Sequence, residues 1–425
     1  MTLLRSWVPG ANDPACPFPL NNLPCGVIDT GDPRTDFCAT AIGDQVLNLA
    51  LLEEAGLLRP RVWRQPSATM PQGTMRTHWN GFMAMADWDA YRAALTDLLA
   101  EHGNPALRDA PDLRAQVFAP LAQAQLTWPV RIAEYTDFYA GRHHATNVGT
   151  MFRGADNALP PNWLHMPIGY NGRASSVVLS GTDIRRPWGQ VKGPDEDAPR
   201  FAPSARFDLE LELGAVVGRA SHGPLTVDQA DANIFGYVLL NDWSARDIQA
   251  WEYQPLGPFQ AKATATTISP WIIPAAALGS FRVPPPVRDV PLLPHLRDTG
   301  PMFYDIDLSV TLNGHRIAAT NARELSYSAA QQLAHHSSSG CPMRTGDLLG
   351  SGTISGAERA ERGSLLELSW GGKTPLTLPD GTTRSFLEDG DHLALGGAAR
   401  GDGYQIGFGP CEGTLLPAHD DPFKG

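Results

Sequence analysis

Between Asp137 and Gly154 the chain reads DFYAGRHHATNVGTMFRG, which gathers a carboxylate (Asp137), a phenol (Tyr139), adjacent histidines (His143, His144) and two guanidinium groups (Arg142, Arg153) into one short segment. These are the side-chain types of a metal ligand, a hydrogen-bond donor, a general base and anion-binding groups, and a packing role does not call for all of them together. The interspersed Gly and Asn predict a backbone that loops. The segment has the inventory of an active-site rim. Neighbouring side chains diverge in either regular structure, so His143 and His144 cannot both address the same water.

Further along, FDLELELGAVVG alternates Phe207, Leu209, Leu211 and Leu213 with Asp208, Glu210 and Glu212. A strand here places three carboxylates on one face. Read alone, that is the solvated face of an amphipathic strand. The alternative is a cation held between Glu210 and Glu212, and all-oxygen ligands favour magnesium or calcium over zinc. NDWSARDIQAWEY reads as a strand ending at Asp242 and then a helix with Ser244 as its cap; Arg246, Gln249 and Tyr253 fall on one polar face. Glu367, in GSLLELSWGG, reads alone as a surface carboxylate of a half-buried strand. Thr353, in GSGTISG, reads as a turn residue or as a ligand contact on a loop that Gly352 and Gly356 allow to approach closely. Other chemistries lack their signatures: no G-x-S-x-G elbow, no H-E-x-x-H, and no third glycine in GDGYQIGFG.

These segments resemble the fumarylacetoacetase family. The resemblance rests on DFY followed by R-x-H-A-T-N-V-G-x-M-F-R-G, on PNWLHMPIGYNGRASSVVLSGTDIRRP, LLNDWSARDIQAWEYQPLGPF, LLGSGTISG and GDGYQIGFGPCEGTLLPA, and on AIGDQVLNL near the start, so it spans nearly the whole chain. It implies an enzyme that hydrolyses a carbon–carbon bond of a β-diketo acid, 4-fumarylacetoacetate, to fumarate and acetoacetate, the last step of tyrosine and phenylalanine breakdown through homogentisate. It implies Mg2+ and/or Ca2+ on Asp137, Glu210, Glu212 and Asp242, with Lys262 and Thr266 also assigned to the ion, the lysine through its backbone carbonyl. His144 becomes the base that activates water, because the pattern places it directly before Ala145, and Glu367 becomes the partner that orients it. Arg246, Gln249 and Lys262 would stabilise developing charge, while Tyr139, Arg153, Tyr170, Gln249, Tyr253 and Thr353 would bind substrate. A homodimer is implied as well. Competing readings are a relative with a different diketo or dienoic substrate and a metal-binding scaffold without activity; the latter has no need of His144, Glu367 and Arg246 together.

The elements that must position these residues follow from pattern and length. A chain of 425 residues exceeds one ordinary core and predicts two domains. Residues 1–126 mix strand-like runs (CGVIDT, CATAIGDQVLNL) with a helical one (WDAYRAALTDLLAEHG). Residues 127–425 are mainly short strands: SSVVLSG, RFDLELELGAVVG, ANIFGYVLL, SLLELSW and DHLALGG, with a tight Asn313-Gly314 hairpin and a helix in SYSAAQQLAHH. The fold class is therefore mainly β (α+β), and the resemblance implies an SH3-like N-terminal barrel and a mixed β-sandwich roll as catalytic domain. A net charge of −12 without a basic run argues against nucleic acid. The absence of a signal-like start and of a run near ~20 apolar residues predicts a cytoplasmic protein off the membrane. Five cysteines without a C-x-x-C pair predict reduced thiols.

Overall fold

In the computed structural model, which describes residues 2–421, 423 and 424, the first strands pair locally. Phe37–Ile42 and Gln45–Asn48 form a hairpin, and with Gly26–Ile28, Phe118–Pro120 and Leu126–Thr127 they make a five-stranded antiparallel sheet. The helix Trp88–Leu99 packs beside it, capped by the Asp87 carboxylate, which accepts from Ala90 N at 3.1 Å. All five cysteines are free. Among the described residues no helix is long and apolar enough to cross a membrane.

An eight-stranded mixed sheet forms the centre of the molecule. Its order runs Val177–Leu179, Thr266–Ile268, Ile234–Asp242, Leu211–Val217, Leu348–Gly350, Tyr135–Phe138, Gly169–Asn171, with Ile273–Pro274 also on Ile234–Asp242. A six-stranded sheet built around His392–Gly401 and Asp307–Leu312 covers one face; Leu211, Leu213 and Leu239 share a core with Leu308, Val310, Leu393 and Leu395. In that sheet Asn313 and Gly314 both have positive φ, 50° and 81°, the two-residue turn that Asn-Gly chemistry favours.

The opposite face divides in two along the strands. Val216, Val238, Leu240, Ile268, Tyr135 and Leu348 join the core of the N-terminal region, with Trp79, Phe82 and Met83. Two residues farther along the same strands, side chains return to that face. Those positions are Asp242, Thr266, Asp137 and Gly350, with Glu212 four residues from Val216. One half of the face is an apolar floor for the N-terminal region, and the other half is acidic.

The structure corrects three sequence expectations here. SLLELSW is not a strand but a single helical turn, Leu365–Leu368, because Ser364 caps it and the Asp208 carboxylate accepts from Leu365 N and Leu366 N at 2.8 and 3.0 Å. FDLELELGAVVG is not one strand: Phe207–Asp208 pairs with Ser244–Ala245, and Glu210 lies between that bridge and Leu211–Val217, its N–H bonded to Asn241 Oδ1 at 3.0 Å. The signature segment does not loop, since Arg142–Arg153 is a helix. Gly149 is needed there for a close approach, because a Cβ would run into the Ala158 carbonyl.

Trp79 links the N-terminal region to the central sheet: it is 1% exposed, donates Nε1–H to Gly26 O at 2.8 Å and lies 6.2 Å from the Phe235 ring. Trp79→Ala should destabilise the protein by about 3–5 kcal/mol, read as a lower urea midpoint; a midpoint within error of wild type would show that this contact does not hold the two regions together.

Candidate active site

Three strand positions and the break before Leu211 bring four carboxylates together. Asp137, Glu210, Glu212 and Asp242 are all buried, and each offers an oxygen within 4.8 Å of the others. Burying ionised carboxylates costs several kcal/mol each unless charge is compensated. Two cations enter the cluster: Lys262 donates to Glu210 and, at 2.7 Å, to Asp242 Oδ2, while Arg246 Nη1 lies 2.7 Å from Glu210 Oε1. In the structure the ammonium of Lys262 is the group that meets the carboxylates. Thr266 Oγ1 donates to Asp242 Oδ1 at 3.2 Å, and the Tyr170 hydroxyl lies 2.9 and 3.0 Å from oxygens of Asp137 and Asp242.

Compensation is uneven across the cluster. Burial opposes the Glu210 charge, but Lys262, Arg246 and His144 outweigh it and hold the carboxyl well below its ordinary range. Burial and then the Asp242 charge push Asp137 far up; burial and then Asp137 and Glu210 do the same to Glu212. Among the described residues Asp137 Oδ1 and Glu212 Oε1 have no hydrogen-bond partner. Gly350 supplies the room between them, for a Cβ there would sit 2.8 Å from Asp137 Oδ1 and 2.9 Å from Glu212 Oε2. Hard, unpartnered oxygens around a gap that only glycine leaves open fit a divalent cation.

Beside the cluster stands His144, 2% exposed, at the third position of the helix that begins at Arg142. Its Nδ1 is 2.6 Å from Glu367 Oε2, and its Nε2 is 3.7 Å from Glu210 Oε1, on the carboxylate side. Glu367 is fully buried and receives three more hydrogen bonds, from Asn147 Nδ2, Ser355 Oγ and Ser364 Oγ at 2.8–2.9 Å. Although burial raises its pKa, His144 and these donors bring it below the ordinary glutamate value. An ionised Glu367 accepts Nδ1–H and fixes the tautomer whose Nε2 lone pair can take a proton. His143 points elsewhere, half-exposed, 3.4 Å from Glu324.

Asp208, which the sequence left as one more strand carboxylate, is the hidden organiser. Fully buried, it accepts from Arg246 Nε at 2.8 Å and caps the turn that carries Glu367. The anion-binding guanidinium and the histidine's partner thus share one anchor. Asn147, Ser355, Ser364 and Gly350 were missed as well. Only the Ser-x-x-Glu spacing at Ser364 and Glu367 gave a readable capping signal.

A cleft of about 310 Å3 opens above these groups, lined by Asp137, Tyr139, His144, Arg153, Tyr170, Glu210, Arg246, Gln249, Tyr253, Lys262 and Thr353 among others. Arg246 donates to Gln249 Oε1 at 3.2 Å, and both lie with Tyr253 on the cleft side of the helix Arg246–Glu252 and its cap. Ser244 does not cap that helix: it sits in the bridge to Phe207–Asp208 and donates to Asp242 O at 3.0 Å. Thr353 Oγ1 is buried without a partner. Arg153 gives Nε and Nη2 to the carbonyls of Asn157 and Ala158, at 3.1 and 2.7 Å. Arg142 lies outside the cleft, paired with exposed Asp289.

A buried carboxylate cluster suited to a cation, beside a histidine–glutamate pair and a guanidinium, defines a hydrolase-type site on this fold. Comparison with known proteins agrees. Residues 21–129 match the family described as Fumarylacetoacetase N-terminal, and residues 134–415 match Fumarylacetoacetate (FAA) hydrolase C-terminal. Fumarylacetoacetase from Homo sapiens is 47% identical, over 97% of this chain and 99% of its own. That from Arabidopsis thaliana is 45% identical, over 98% and 100%. Among solved structures, fumarylacetoacetate hydrolase from Exiguobacterium antarcticum matches 93% of this chain and 100% of its own at TM-score 0.50 and 14% identity, and maleylpyruvate hydrolase from Sphingobium, in complex with manganese (II) ion and pyruvate, matches with the same values. The chain belongs to the fumarylacetoacetase family, with both its N-terminal and C-terminal parts.

Gly350→Ala should weaken divalent-ion binding by at least about 10-fold, since the new methyl group meets two candidate ligand oxygens inside contact distance. Calorimetric titration with magnesium and calcium checks this, and wild-type affinity in the variant would remove Gly350 from the cradle.

Proposed function

We propose that this chain hydrolyses the carbon–carbon bond between the fumaryl and acetoacetyl parts of 4-fumarylacetoacetate, with His144 and Glu367 activating water beside a magnesium or calcium ion. The observation that carries the reading is the line Glu367–His144–Glu210: a buried carboxylate on one imidazole nitrogen and the cation-suited cluster beside the other. Asp137, Glu210, Glu212 and Asp242 would hold the ion, which when bound supplies Lewis-acid polarisation of the diketo oxygens. His144 Nε2 takes a proton from water as the oxygen adds to the ketone next to the fumaryl arm, and Glu367 balances the imidazolium. The carbon–carbon bond then breaks. The hydroxyl stays in the new fumarate carboxyl, the bonding pair leaves on acetoacetate as an enolate, and a proton returns to that carbon. Arg246, Gln249 and Lys262 stabilise the developing negative charge. Tyr139, Tyr170, Tyr253 and Thr353 contact substrate oxygens, and Arg153 offers its remaining N–H groups to a carboxylate.

The finer expectations belong to the same reading: an N-terminal SH3-like barrel ending near residue 126, a cytoplasmic homodimer, and no nucleic-acid or membrane partner.

The test is loss of ultraviolet absorbance when purified protein meets fumarylacetoacetate, with acetylpyruvate and oxaloacetate as comparison substrates. Turnover should be fastest on fumarylacetoacetate, should vanish after chelation and dialysis, and should return with magnesium or calcium. Preference for either comparison substrate would replace the proposed substrate. Full activity in protein shown by elemental analysis to be metal-free would remove the ion from the chemistry. His144→Ala should abolish nearly all turnover, whereas His143→Gln should stay within a few-fold of wild type. Glu367→Gln should lower kcat by about 100-fold or more with KM changing much less; a large rise in KM at normal kcat would make Glu367 a binding residue.

A further inference from the structure

A second cavity, of about 350 Å3, lies where the helix Trp88–Leu99 of the N-terminal region faces Arg219, Phe235 and Arg282 of the catalytic part. It shares no lining residue with the catalytic cleft. Its volume is that of a small-molecule site. The walls are aromatic, with Trp79, Phe82, Trp88, Tyr91 and Phe235, yet two hydroxyls on them are unpartnered and buried: Tyr91 Oη, in a residue 7% exposed, and Thr40 Oγ1, in one 1% exposed. Buried hydroxyls without a partner are uncommon, and each costs free energy until one arrives.

The charged lining is cationic, three arginines (Arg92, Arg219, Arg282) against two aspartates (Asp89, Asp231). Asp231 already pairs with Arg282 at 2.9 Å. Arg92 donates to the carbonyls of Asn21 and Asn22, and Arg219 Nη1 to Ala232 O at 3.2 Å; the carboxylates near them, Asp89 for both and Asp87 for Arg219, act through space rather than in a direct ion pair among the described residues. Two indoles lie against Arg219, its guanidinium carbon 4.2 Å from the Trp63 ring centre and 3.7 Å from that of Trp88. Its Nε–H is buried and unpartnered. A guanidinium edge next to Nε matches an in-plane carboxylate.

We infer that this cavity binds a small aromatic carboxylate, the anion on the Arg219 edge, the ring among Trp88, Tyr91 and Phe235, and the hydroxyls of Tyr91 and Thr40 on its remaining polar atoms. Such a ligand touches both parts of the chain and stabilises their contact by binding only the folded form.

The test uses phenylacetate as probe, titrated into the full-length, magnesium-loaded protein by calorimetry and by tryptophan fluorescence. Saturable one-to-one binding is expected, with a rise in Tm. Phenylacetamide, which keeps the ring and loses the charge, should bind at least about 10-fold more weakly. Arg219→Met should weaken phenylacetate by a similar factor while leaving turnover of the catalytic substrate unchanged, and Arg153→Met, at the mouth of the catalytic cleft, should leave phenylacetate binding intact. No saturable binding at millimolar phenylacetate, equal binding of acid and amide, or loss with Arg153→Met but not with Arg219→Met overturns the inference. If Arg219→Met fails to fold, the acid–amide comparison on the wild-type protein decides.

Discussion

Four carboxylates buried on one patch of one sheet set the terms for the rest of this molecule. Asp137, Glu210, Glu212 and Asp242 carry four negative charges when ionised, and the cations that reach them, Arg246 and Lys262, carry two, with Arg246 shared with Asp208. At least two negative charges are left, and a divalent ion supplies two positive ones. Without that charge, burial and mutual repulsion favour the protonated forms of Asp137 and Glu212. The Gly350 gap, the unpartnered oxygens and the short reach of Lys262 are all consequences of accommodating this charge in a dry place.

The fold meets the demand by dividing a sheet face lengthwise. The same strands that give Val216, Val238, Leu240 and Tyr135 to the N-terminal core turn acidic within one or two further repeats, so a rigid apolar floor fixes where the carboxylates stand. Precision at the histidine has a different source. Glu367 rides on one helical turn, and that turn is anchored by Asp208, which also grips Arg246. Base, partner and anion-binding group are therefore registered to one another through a carboxylate that lies outside the cleft.

How much of this could be read from the chain depended on whether local pattern or distant contact decided the outcome. The strands Ile234–Asp242 and His392–Gly401, the Asn313-Gly314 turn and the helix Ala329–Ser337 with its capping box follow from periodicity and turn chemistry. The Glu-x-Glu pair was legible as a candidate cation site because a strand's alternation brings i and i+2 together, although Glu210 itself sits at a break. Leu365–Leu368 was misread because its apolar run is compatible with a strand, and what makes it a helix is Asp208, distant in sequence. The helix Arg142–Arg153 was misread because Gly149 and Asn147 signal loops locally, while in space one avoids the Ala158 carbonyl and the other reaches Glu367. Gly350 carries no side chain at all, so its part in the site is visible only with Asp137 and Glu212 in place.

The most direct measurement of the charge argument is the proton count of metal binding. Metal-depleted protein should be titrated with magnesium or calcium by calorimetry near neutral pH in buffers of different ionisation enthalpy, from which the number of protons released per ion follows. The account predicts one site whose filling releases protons, because Asp137 and Glu212 ionise as the ion arrives. Binding with no proton release, or no binding at all, would contradict it.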